Sequence, residues 1–217
     1  FGVWPRAGFW LENKLWMLNK PGEWYFDKST KTLYAANVSG TNVAPPTKLE
    51  LTVNNNALVI RDIPNIKVVN LNVLSTVWQA IDVRNSPNPT VQNNLVQYGA
   101  MGAGGGCGDN AAIFVGPTLN INDNCKPFST AAGSNGAIVS NNTIKASGYA
   151  GLNVISDSSW ISGNIVEDTG TIARTRNVMY GLSATAPGGY VIKNTVTKSA
   201  YMGIAFSNKS KLIDGAL

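Results

Sequence analysis

Six times along the chain a small residue opens a five-residue segment whose second and fourth positions are apolar while the third and fifth vary. These segments are Ala57 to Arg61, Ala80 to Arg84, Ala112 to Gly116, Gly151 to Ile155, Gly181 to Thr185 and Gly203 to Ser207. Such alternation marks a strand with one buried face. Successive starts lie 23, 32, 39, 30 and 22 residues apart, so the shortest period is 22 to 23 and the longer steps carry insertions. A second register follows each of the first five segments except the third, where it arrives after an insertion. It reads Val68-x-x-Leu71-x-Val73, Val91-x-x-Asn94-x-Val96, Val139-x-x-Asn142-x-Ile144, Ile161-x-x-Asn164-x-Val166 and Val191-x-x-Asn194-x-Val196.

A period near 22 with two or three short strands per turn predicts a β-solenoid, in which one coil cannot bury its own face and stacking supplies the core. A leucine-rich repeat would need Leu at fixed positions that are otherwise filled here. A β-sandwich would show a hairpin turn every 8 to 12 residues or so and no Asn in register. Stacked at the strand spacing of about 4.8 Å, the asparagines would hydrogen-bond along a ladder. The small residues and the asparagines are expected to mark corners, where Asn tolerates left-handed backbone. Composition agrees. At 44% hydrophobic and 13% charged the chain is too apolar for disorder, and 22 glycines suit a turn-rich all-β fold.

These coils resemble those of secreted bacterial right-handed parallel β-helix proteins, the broad pectate-lyase-like superfamily. The segment PGEWYFDKSTKTLY, Pro21 to Tyr34, is similar to a hairpin that precedes the helix in many bacterial members, which usually carry Gly where Lys31 stands. The resemblance implies a right-handed parallel β-helix, an extracellular location at or beyond the cell surface, and a role with polysaccharide. It is silent on activity, since the superfamily holds polysaccharide lyases, glycoside hydrolases and non-catalytic surface proteins.

Two regions follow from this reading. Residues 1 to 50 form an aromatic-rich N-terminal segment whose two short strands flank a polar turn, Asp27 to Lys31. Most of its rings are expected to pack that hairpin onto the solenoid. Residues 51 to 217 form the coils, with insertions near 99 to 135 and 171 to 179, expected to leave neighbouring corners on one side. The abrupt ends read as part of a longer chain. Cys107 and Cys125 lie 18 apart, a spacing compatible with one disulfide in an oxidising compartment or with two free thiols. No apolar run approaches the length of a membrane span.

His is absent, which excludes Ser-His-Asp and Cys-His machinery and a His-ligated zinc site. Acid and base work would fall to carboxylate, Lys, Arg or Tyr. Stacking places two outward columns on the first strand: Val59, Asp82, Phe114, Asn153, Ser183, Ala205, and Arg61, Arg84, Gly116, Ile155, Thr185, Ser207. Arg61 and Arg84 then face each other about one coil apart beside Asp82. A uronate carboxylate is one natural partner for such a pair, and Asp82 itself, with Asp62, is the other. The candidate catalytic residues are accordingly Arg84, Asp82 and Arg61, with Phe114, Asn153 and Ser183 as substrate contacts. No metal is expected. Asp109 and Asp123 offer the oxygens that Ca²⁺ would want, although such turns ordinarily just cap. A net charge of +5 tilts the expected partner toward acidic polysaccharide, with neither nucleic acid nor a membrane span implied. Two functions stand side by side: a polysaccharide lyase or hydrolase using this groove, and a non-catalytic surface or adhesion module.

Overall fold

The computed structural model describes residues 14–20, 23–36, 52, 54–102, 110–120, 126–127, 133–171, 180–207 and 211–213. The chain divides into two units, residues 1–51 and 52–217.

In the first unit Trp24–Asp27 and Thr32–Ala35 pair as an antiparallel hairpin, with Tyr25 stacked on Tyr34. The turn between them is one residue tighter than the sequence suggests, because Asp27 belongs to the strand. Its carboxylate accepts from the Ser29 hydroxyl and amide, which hold it below the usual carboxylate range. Lys31 adopts φ +55, the left-handed backbone that Gly takes at no steric cost.

The second unit is a parallel β-helix. Equivalent strands of successive coils pair in parallel and in register, forming three sheets. The first holds Leu58–Arg61, Ile81–Arg84, Ala111–Gly116, Ala150–Ile155, Tyr180–Thr185 and Met202–Ser207. The second runs from Lys67–Val69 through Thr90–Gln92, Ile138–Ser140, Trp160–Ser162 and Tyr190–Ile192 to Lys211–Ile213. The third holds Asn72–Leu74, Leu95–Gln97, Thr143–Ser147, Ile165–Thr169 and Thr195–Ser199. Each Val-x-x-Asn-x-Val register is therefore two strands meeting at a corner, one residue contributed inward by each.

The inward columns form one continuous core. Ile81, Ile113, Leu152 and Leu182 stack from the first sheet, Val91, Val139, Ile161 and Val191 from the second, and Val96, Ile144 and Val166 from the third. β-Branched residues dominate because their stiff side chains fill the pleat at little entropic cost.

The asparagine ladder forms. The Asn94, Asn142 and Asn164 amide nitrogens donate at 2.8–2.9 Å to Oδ1 of Asn142, Asn164 and Asn194, respectively. Each also donates about one coil back, to the Val68, Val91 and Val139 carbonyls. The backbone geometry of the corner differs from expectation. Left-handed φ falls on the residue before each ladder position, namely Asn93, Asn141, Gly163 and Lys193, while the ladder residues themselves point their amides into the stack.

Gly151 and Gly181 likewise sit inside strands, without left-handed φ, and are not corner residues. A Cβ on Gly151 would run into Val166 Cγ1 and stand 2.8 Å from the Gly181 carbonyl oxygen. Only a glycine lets the third sheet approach here. Gly151→Ala is expected to lower stability by about 1–3 kcal/mol as an overpacking change, read as a fall in the thermal midpoint.

The stretch near 99–135 is interrupted by a core strand, Ala111–Gly116. One excursion enters that strand from the third sheet and another leaves it toward the second, carrying the antiparallel pair Leu119–Asn120 and Lys126–Pro127. The chain also passes from the third sheet, which ends at Thr169, to the first sheet at Tyr180, and residues 172–179 between them lie outside the described residues. Cys107, Cys125, Asp109 and Asp123 lie outside the described residues, and with them the expected disulfide and the calcium ligands. Among the described residues no helix is long and apolar enough to cross a membrane.

Candidate functional site

The first sheet brings the predicted wall together in the predicted register. Val59 pairs with Asp82, Asp82 with Phe114, Phe114 with Asn153, Asn153 with Ser183, and Arg61 with Arg84. Residues two apart on a strand share a face, so Asp82 and Arg84 project to the same side.

The geometry resolves the repulsion of the two guanidiniums from within. Arg84 Nε donates to Asp82 Oδ1 at 2.7 Å, and Arg61 Nη2 stands 3.6 Å from Asp82 Oδ2. The Arg84 guanidinium lies over the Phe114 ring, 4.6 Å from its centroid, adding a cation–π contact. Asp82 thus bridges both arginines, one buried and one half-exposed. No uronate carboxylate is required to hold them side by side.

Burial changes what this wall can do. Asp82 is 2% exposed and Arg84 7%, while Phe114 and Asn153 are buried as well. The outer face of the sheet is covered over its second to fourth coils rather than forming an open groove. Among the described residues it opens at the first coil, where Val59 and Arg61 are exposed, and partly at Ile155, Ser183, Thr185 and Ala205. The described edges of the insertion reach the same rim: Thr118 donates its amide to Asn85 Oδ1 at 3.0 Å, and the Asn85 amide donates to Thr118 Oγ1. Asp62 turns the adjacent corner with φ +60 and is exposed. Among the described residues every buried side-chain nitrogen and oxygen has a hydrogen-bond partner, and no three carboxylates or thiols converge as a metal site.

The second sheet carries a feature that the columns of the first strand do not reveal. Its first outward column reads Lys67, Thr90, Ile138, Trp160, Tyr190 along successive coils. Trp160 is 45% exposed, Ile138 is exposed and Tyr190 half-buried, and the two rings lie 5.3 Å apart at 49°. The signal was present in the sequence: each of these residues immediately precedes the apolar residue that opens the Asn register.

Fold and side-chain placement together define a parallel β-helix protein with a covered ion pair on one wall and an open aromatic ridge on the next. No family model, no curated protein and no solved structure matches the chain.

Proposed function

We propose that this β-helix works outside the cytoplasm as a non-catalytic module that holds polysaccharide, its stacked coils serving as a rigid spacer with a binding face. The observation that carries the reading is the state of Asp82 and Arg84. Both are buried and bonded to each other, so the residues best suited to neutralise a uronate or move a proton are engaged in holding the wall together. General acid–base catalysis needs a group within hydrogen-bond reach of substrate, and of the catalytic candidates only Arg61 is accessible. A guanidinium on its own neutralises a carboxylate but leaves elimination without a base. The excess of basic residues favours an acidic glycan. The secreted, bacterial setting belongs to this proposal through the resemblance of the coils and of Pro21 to Tyr34.

The test incubates the chain with neutral and acidic polysaccharides, following both the ultraviolet absorbance of unsaturated uronate ends and the release of reducing ends. Retention on the same immobilised glycans is measured in parallel. The expected result is retention with neither product. New unsaturated or reducing ends, lost in Arg61→Ala, would establish the lyase or hydrolase function instead.

A further inference from the structure

We propose that Ile138, Trp160 and Tyr190 seat a linear polysaccharide lying along the solenoid axis. The inference rests on the carbohydrate reading above and assigns its site to the second sheet. In-register pairing puts the three side chains at one outward position on consecutive coils, so they form a ridge that climbs by one strand spacing, about 4.8 Å, per residue. The next outward column along the strands reads Ser140, Ser162 and Ile192, of which Ser140 is buried and the other two are half-buried. Exposed Asp157 and Ser158 stand at the corner before the ridge, and exposed Asn141 and Lys193 at the corner after it.

A narrow apolar strip running from coil to coil, with exposed polar residues at the corners on either side as its margins, selects its occupant. The three side chains offer roughly 250 Å² of contact area, far below the about 800 Å² per partner of a stable protein interface. A compact apolar ligand would seek a concave pocket, and a sheet face is not one. A glycan chain fits both features. The C–H faces of its pyranose rings lie against tryptophan and tyrosine rings, its equatorial hydroxyls reach the polar margins, and its length matches a linear rather than a round patch.

The test is affinity electrophoresis of the folded chain in gels containing hydroxyethyl cellulose, xylan or polygalacturonate. Retardation by at least one polymer is expected. Trp160→Ala and Tyr190→Ala should each weaken it by about tenfold, while Trp160→Phe stays within a few-fold of the parent. Leu74→Ser removes an exposed apolar residue from the third sheet and should leave retardation unchanged. If Trp160→Ala does not fold by circular dichroism, Trp160→Thr, which suits a strand, carries the same expectation. Parent-like retardation of the Trp160 and Tyr190 variants overturns the ridge as the site and leaves carbohydrate binding standing. A parent chain retarded by none of the polymers overturns both.

Discussion

Replacing Asp82 with alanine is expected to destabilise the β-helix by about 3–5 kcal/mol, the range for removing one partner of a buried ion pair. The magnitude follows from what is left behind. Arg84, 7% exposed, loses the acceptor on its Nε at 2.7 Å. Arg61, on the neighbouring coil, loses the carboxylate that separates it electrostatically from Arg84. Urea unfolding of parent and variant measures the difference as a shifted midpoint at similar slope. Two comparisons isolate the cause. Arg61→Ala should cost no more than about 1 kcal/mol, because its pair is half-exposed and screened. Joint replacement of Asp82 by Leu and Arg84 by Met should cost less than Asp82→Ala alone, since both charges of the buried pair are then removed together. A loss below about 1 kcal/mol in Asp82→Ala would show that the wall does not depend on this pair.

The second large effect is expected at Asn164. Its amide is bonded on every side: Oδ1 accepts the Asn142 backbone and side-chain N–H groups, and Nδ2 donates to Asn194 Oδ1 and the Val139 carbonyl. Asn164→Ala removes four bonds in a fully buried corner where water does not substitute. Each stranded group costs about 1–3 kcal/mol, partly relieved by relaxation, so a total of at least about 3 kcal/mol is expected from denaturant unfolding. The ladder also predicts a gain at its open end. Leu71 already donates its backbone N–H to Asn94 Oδ1 and is exposed, so Leu71→Asn can add the side-chain donor that every other rung has. A rise of about 0.5–1 kcal/mol is expected there. Equal, small losses at Asn164 and at an exposed asparagine such as Asn72 would refute a cooperative ladder.

The coil architecture was legible because a solenoid repeats its chemistry at every turn. Leu58, Ile81, Ile113, Leu152 and Leu182 occupy one column in space as they do in the aligned sequence, and so do Asn94, Asn142, Asn164 and Asn194. The period therefore carried register, core and wall together. Backbone detail was less accessible. The left-handed corner residue varies among Asn, Gly and Lys, so no residue type announces it, whereas the ladder position beside it is Asn in four of the five coils. Gly151 and Gly181 read as turn residues, since a glycine looks alike in sequence whether it supplies φ > 0 or close approach.

The candidate site divides in the same way. Which side chains share a wall follows from the repeat alone: Arg61, Asp82, Arg84, Phe114 and Asn153 stand where it places them, because strand alternation and coil stacking are local, periodic rules. Whether that wall meets solvent depends on the folded arrangement of the whole chain. Burial depends on the neighbours a face acquires in the folded chain, which strand alternation and coil stacking do not specify. The same holds for the aromatic ridge, where Trp160 and Tyr190, 30 residues apart, become neighbours only once the second sheet has formed and left their rings exposed.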